Sequence, residues 1–162
     1  MTTQREIPCV LVPIETGQLL LPNVTVAEVL RMQRIRPLKG APRWQLGLLP
    51  WRGRAVPVLS VELLLEDAGY ELPPPSANHA LLVMNRTRPL NELAFYAVRV
   101  AGAPRLLWIA EEDLDPVDGL LGPAEAARIR LGEEPALVPK LAYLEDPVLR
   151  DALVQRPAPQ SA

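Results

Sequence analysis

The sequence predicts a mainly β protein of two lobes with at most three short helices. Three observations predict it. Short apolar runs recur along the chain and are cut apart by Gly/Pro turns, the punctuation of small sandwiches and barrels. Proline accounts for 19 of the 162 residues, more than twice the usual ~5%, while hydrophobic content is 49%, a mix that suits sharply turned segments around a real core. Consecutive prolines hold an extended, semi-rigid conformation, so Pro73-Pro74-Pro75-Ser76 reads as a linker between a lobe at about residues 8–72 and a second at about 79–155, with terminal strands open to exchange between them. Residues 156–162, rich in Pro, Gln and Ala, read as a flexible tail.

The chain is organised around Leu46 to Leu65, LGLLPWRGRAVPVLSVELLL. Behind the Trp51-Arg52-Gly53 tip, Arg54 to Leu59 reads as the outgoing arm of a hairpin. Pro57 has no N–H for a ladder, which predicts an edge strand or a bulge at Ala55 to Leu59 and hence an exposed docking surface. Upstream, Cys9 to Ile14 and Leu19 to Leu21 read as strands joined through Glu15 to Gln18. Thr25-Val26-Ala27-Glu28 has the form of a capping box and predicts a short helix to about Gln33, broken by Pro37 to Pro42. Beyond the linker, Ala80 to Met84, Leu93 to Val100 and Arg105 to Ala110 read as strands and Asn85 to Glu92 as a loop. Pro123 and Gly132 bracket a predicted helix at Ala124 to Leu131, and Asp146-Pro147 opens another at Val148 to Gln155.

Composition narrows the chemistry. A single Cys9 forms no internal disulfide, and with one imidazole, His79, there is no metal-ligand cluster, so neither metal nor cofactor is expected. A reducing cytoplasm is the natural setting. Met1 to Cys9 lacks the apolar segment of a secretory signal, and no apolar run approaches the ~18 residues of a bilayer span, which predicts a soluble protein. No glycine-rich phosphate loop or G-x-S-x-G elbow is present, so no catalytic residue is expected. Cys9, opening an apolar strand, reads as a small core residue and His79 as structural or solvated. Glu111, Glu112, Asp113, Asp115 and Asp118 lack the spacing of a calcium loop and read as a solvated acidic loop.

Residues 1–60 carry a net +5 and residues 61–162 a net −7, a segregation that suggests a basic and an acidic face for partner contact. Arg31 to Arg54, with Trp44 and Trp51, raises the alternative of a small β-barrel nucleic-acid binder, against which the pI near 5.5 argues. Trp51, beside Arg52 and Arg54, is either a core cap or a docking anchor.

These residues resemble a known family. Gly47, Trp51-Arg52-Gly53 and Val56-Pro57-Val58 are similar to the G-V-x-N-L-R-G-x-x-V-P-V/I-x-D-L signature of the CheW-like coupling proteins of bacterial chemotaxis. Val26-Ala27-Glu28-Val29 resembles that family's V-x-E-I segment, Ala41 to Trp44 its N-x-P-x-F approach, and Ala80 to Asn85 its V-V-I-V-L-N strand. Pro50 stands where the family usually has Asn, Ser60 where it has Asp, and Ala101-Gly102 where it has Asp-Gly. Leu137 to Leu144 resembles a remnant of its final segment. Leu20 to Glu28 with Trp51-Arg52-Gly53 is most similar to the ChpC-type members attached to chemosensory pili systems.

The resemblance implies a single CheW-like domain over residues 8–155, built as two five-stranded SH3-like β-barrels with a groove between them. It implies a non-catalytic adaptor that couples methyl-accepting chemoreceptors to a CheA-type histidine kinase, peripheral to receptor arrays, in chemotaxis or in type IV pilus twitching motility. The kinase's regulatory domain would meet barrel edges and the receptor tip the groove. Partner-binding residues carried over are Val26, Glu28, Gly47, Trp51, Arg52, Pro57 and Leu82. Val26 and Leu82 would line the groove from different lobes, with Glu28 at its rim; the alternative is that both are ordinary core residues.

Overall fold

A computed structural model describes residues 5–65, 69–90 and 93–145, without the side chains of 88–90 and 93. Strands β1 (Glu6–Ile14) and β2 (Gly17–Pro22) pair antiparallel, with Ile14 opposite Gly17. Successive side chains of a strand point to opposite faces, and both faces of this hairpin are apolar. Val10, Val12, Ile14, Leu19 and Leu21 join one core, whereas Cys9, Leu11 and Leu20 join another. The hairpin is therefore the wall between two cores.

The capping-box helix is not there. Asn23–Thr25 make one 3-10 turn, in which the Thr25 hydroxyl donates back to the Pro22 carbonyl at 2.7 Å, and Val26–Arg31 form strand β3. Val26-Ala27-Glu28-Val29 fits a two-residue period as well as a helical one, and its β-branched residues favour the pleat. Pairing with β6 (Ala80–Leu90) decides, with Val29 opposite Leu82 and a bulge between Val26 and Glu28.

Strands β4 (Gln45–Trp51) and β5 (Arg54–Leu59) form the expected hairpin. Its turn places Arg52 at φ 47° and Gly53 at φ 74°, two left-handed residues as a type I′ turn requires. The predicted edge is corrected. β5 lies between β4 and β7 (Leu93–Val100), and Val56 to Leu59 are buried. Leu48 spends its N–H and C=O on Arg36, so these groups point away from β5, and its register partner Pro57 occupies a non-hydrogen-bonded ladder position. The ladder to β7 begins at Val58, past the proline. The missing N–H costs no bond on either side.

After β5, Ser60 caps α1 (Val61–Leu65) by accepting the Leu63 N–H at 3.2 Å. Serine thus performs the N-cap role open to an aspartate at this position. Glu62, 2% exposed, accepts the Ser60 hydroxyl and the Glu15 N–H. β6 runs on through Asn85 to Leu90, where a loop was expected; Asn85 donates to the Val24 carbonyl, and Glu145 receives both the N–H and the hydroxyl of Thr87. β8 (Arg105–Ala110) pairs with β1, Asp115–Pro116 make the short β9, and β10 (Glu125–Leu131) and β11 (Glu134–Pro139) form a last hairpin. The predicted helix at Ala124 to Leu131 is therefore a strand. Ile129 faces the core while Arg128 and Arg130 alternate outward, and Gly132, at φ 63°, turns a hairpin instead of ending a helix. Residues 141–145 form a final helical turn. The predicted helix at 148–155 and the tail lie outside the described residues.

Two sheets result, in the orders β8-β1-β2-β11-β10-β9 and β3-β6-β7-β5-β4. The lobe boundary moves accordingly. The proline linker joins α1 to β6 beside one sheet, and it is the N-terminal hairpin that completes the C-terminal lobe. Exchange of terminal strands sets the division at about residues 22–26 and 100–105, not at 73–75.

The second sheet curls until its edges meet. Arg36, beyond β3, exchanges two backbone bonds with Leu48 of β4, at 2.9 and 2.8 Å. Gly47 permits this approach: a Cβ there would lie 2.1 Å from the Arg36 carbonyl oxygen. Inside are Leu49, Val56, Val58, Leu81, Val83 and Ala97. On its other side, Leu82, Met84, Tyr96 and Val98 pack against the β1–β2 hairpin.

Candidate interaction site

The Arg52–Gly53 turn brings the tip of the β4–β5 hairpin over β3. Trp51 is 8% exposed, and its Nε1–H donates to Glu28 Oε2 at 2.5 Å. Arg52 reaches the same carboxylate oxygen at 3.4 Å, and its guanidinium lies 4.8 Å from the Trp51 ring centre. Behind the indole, Phe95 packs edge-on at 4.8 Å and 63°, and Arg54 lies 5.3 Å from the Phe95 ring centre. Guanidinium, indole, phenyl and guanidinium thus alternate, each cation facing a ring it can polarise for about 0.5–1 kcal/mol at an exposed site. The Trp51 ring caps the barrel core, and its N–H meets Glu28. Arg52, with a side chain 68% exposed, and Arg54, also exposed, are the members of the cluster presented to solvent.

The other expected contact residues separate. Val26 is half-buried and packs on the inter-sheet core. Leu82 is 0% exposed, so that side chain belongs to the core and lines no surface groove. Val26 and Leu82 also do not come from different lobes, because β3 and β6 are neighbours in one sheet. Pro57 and Gly47 are buried in the ladder and the barrel seam. Exposed in this stretch are instead Val29, at 48% and on the opposite face of β3 from Glu28, and Val24, at 79%, before the strand. Sequence reasoning missed Val29 because a helical reading of 25–33 turned it inward; the two-residue alternation of Val26 to Arg31 was the available signal.

His79 is oriented by its surroundings. Nδ1 accepts the Ser76 N–H at 2.9 Å, Nε2 meets the Glu15 carboxylate, and Arg99 donates to the Pro73 carbonyl at 2.6 Å. Nδ1 also lies 2.8 Å from the Ser76 hydroxyl and Nε2 points at Glu15, so the ring ties the linker to the β1–β2 turn. The acidic residues lie on the other sheet, where Asp113 caps the Ala110 N–H at 2.9 Å. Burial pushes the Cys9 thiol above its ordinary range, opposite to what a nucleophile needs. Among the described residues no three His, Cys, Asp or Glu side chains are grouped to hold a metal ion, and no helix is long and apolar enough to cross a membrane. The nucleic-acid reading loses its stacking rings, since Trp51 is buried and Trp44 packs on the inter-sheet core.

Residues 8–145 match the CheW-like domain. The chain belongs to this CheW-like family. No curated protein matches it in sequence. Among solved structures it is similar to the scaffolding protein TtCheW from Thermoanaerobacter tengcongensis, with a TM-score of 0.69, 14% identity and 87% of each chain covered. At that identity the likeness speaks for the fold, two β lobes with few short helices. Family membership supports a non-catalytic coupling adaptor of the chemotaxis type. In CheW-like terms the Arg-Gly-x-x-Val-Pro-Val signature spans one buried strand, β5, and one exposed turn.

Proposed function

We propose that this CheW-like protein couples methyl-accepting chemoreceptors to the regulatory domain of a CheA-type histidine kinase, in a chemotaxis or type IV pilus array. The observation that carries the reading is the Arg52 tip. A non-glycine residue is held in a left-handed conformation, with its guanidinium exposed over a buried indole and beside Glu28. Tryptophan and arginine are the residue types that most often dominate interface energy, and here the arginine is pre-positioned, which lowers the ordering cost of a contact. The contact set proposed is therefore Arg52 and Glu28, held in place by Trp51, with the half-buried Val26. Gly47, Pro57 and Leu82 act by holding the barrel that presents it.

Pull-down with the kinase regulatory domain and with a receptor cytoplasmic fragment tests the reading. Arg52→Ala changes stability by less than about 1 kcal/mol, as for an exposed residue, and weakens capture of at least one partner. Intact capture of both by the folded variant, or no capture by the native protein, overturns it.

A further inference from the structure

The two lobes share a core, and they are also tied by side chains at a place that holds the chain's single imidazole. His79 ends the proline linker on one lobe, and Glu15 sits in the β1–β2 turn of the other. Their side chains are only 10% and 20% exposed, and that of Arg99, on β7 beside them, is 6% exposed. Arg99 donates to the Pro73 carbonyl, so the linker is fastened here at both its ends, Pro73 and His79.

This closed arrangement dictates which ring nitrogen carries the proton. A backbone N–H can only donate, so the Ser76 N–H, 2.9 Å from Nδ1, requires a lone pair there. The single ring proton is then on Nε2, where Glu15 accepts it. A second proton would have to enter at Nδ1, facing the Ser76 N–H. The Ser76 hydroxyl, 2.8 Å away, can turn to accept that proton, but the N–H then loses its acceptor. Charge does not compensate. Glu15 attracts a cationic ring, while the Arg99 guanidinium, 3.2 Å from Nε2, repels it at similar range. Arg99 is itself weakly balanced, 4.0 Å from the Glu15 carboxylate and with its buried Nε lacking an acceptor. Glu62 of α1 is turned to the Glu15 N–H and the Ser60 hydroxyl, and the linker from Pro73 to Asn78 has no charged side chain.

We propose that Glu15, His79 and Arg99 form an acid-released clasp between the proline linker and the β1–β2 turn. It is closed while the imidazole is neutral and opens when Nδ1 takes a proton. Histidine is the side chain whose ordinary charge change falls between about pH 5 and 8. Because the closed form needs the neutral ring, the tie is present on the alkaline side of the ring's titration and is lost as pH falls through it. None of the three residues belongs to the Arg52–Glu28 contact, so either reading can fail without the other.

Nuclear magnetic resonance of the isotope-labelled full chain tests this, and with one histidine in the sequence the ring-nitrogen signals belong to His79 alone. At about pH 8 the ring is expected to carry its proton on Nε2. As pH is lowered to about 5, across the histidine range, protonation of Nδ1 is expected to coincide with a loss of amide protection at Ser76. The loss is about fivefold, that of one net hydrogen bond, after correction for the intrinsic pH dependence of exchange. The Thr87 N–H, held by Glu145, is the internal reference and is expected to keep its protection. His79→Asn puts a side-chain oxygen that does not titrate at the same three-residue spacing from which Asp113 accepts the Ala110 N–H, and is expected to make Ser76 protection independent of pH. Glu15→Gln keeps an acceptor for Nε2–H but removes the attracting charge, and is expected to move release to higher pH. A proton on Nδ1 at about pH 8, Ser76 protection unchanged as the ring protonates, an equal loss at Thr87, or a pH dependence that survives in His79→Asn would each overturn the proposal.

Discussion

Replacing Gly47 by alanine tests the account of barrel closure most directly. The added Cβ would stand 2.1 Å from the Arg36 carbonyl oxygen, 2.7 Å from its carbon and 2.9 Å from Ile35 Cγ2. The first distance is about 1.2 Å short of the closest usual carbon–oxygen approach. Two of these three atoms are backbone, so no rotamer change relieves the clash; the segment carrying Arg36 must withdraw from β4. Withdrawal breaks the Arg36–Leu48 pair of bonds, worth about 1 kcal/mol each. Alanine at φ 145° adds about 1–3 kcal/mol of backbone strain. The expected loss is about 3–5 kcal/mol, a large part of the 5–15 kcal/mol that holds a domain of this size, measured as a shift in urea midpoint with the slope unchanged. Gly53→Ala is the control. It too has a positive φ, 74°, but a Cβ there meets nothing within 4 Å, so its cost is backbone strain alone, about 1–2 kcal/mol. If Gly47→Ala costs no more than Gly53→Ala, the steric account of the seam is wrong.

Other outcomes follow from the same geometry. Leu82→Ala, at a fully buried site in the inter-sheet core, is expected to cost about 2–5 kcal/mol in thermal or chemical unfolding; a loss below about 1 kcal/mol would mean that the side chain is not sealed. Ser60→Ala removes the α1 cap and leaves Glu62 Oε1 without its hydroxyl donor, for an expected loss of about 1–2 kcal/mol, and hydrogen exchange at the Leu63 amide should accelerate. Hydrogen bonding to Arg128 holds the Glu125 carboxyl below its ordinary range, with burial opposing. A lowered folded-state pKa means that the stabilisation is present above the unfolded carboxylate pKa and is lost as pH falls through the folded one. The acid-unfolding curves of the native protein and of Glu125→Gln should therefore converge at low pH and separate towards neutrality. A separation that grows on acidification would contradict the assignment.

The sequence by itself determined the class of the fold, most of the strands and the hairpin tip. Two-residue alternation and glycine turns are local properties, and Cys9 to Ile14, Ala80 to Met84, Leu93 to Val100 and Arg105 to Ala110 carry them without help from distant residues. It also determined the family, through residues at fixed spacing around Arg52-Gly53. Only the tertiary structure decided the rest. Val26 to Arg31 and Glu125 to Leu131 suit a helix or a strand about equally by local pattern, and the neighbouring β6 and β11 settled both as strands. Pro57 is harmless in an interior strand because its position in the ladder needs no N–H, a fact set by the partner's register and not by proline itself. Leu82 and Val29 are adjacent across two strands, yet one is sealed and the other exposed, because the β1–β2 hairpin covers β6 and stops short of the sheet edge. Burial depends on which chain segment arrives on a face, and that segment lies some sixty residues away in sequence.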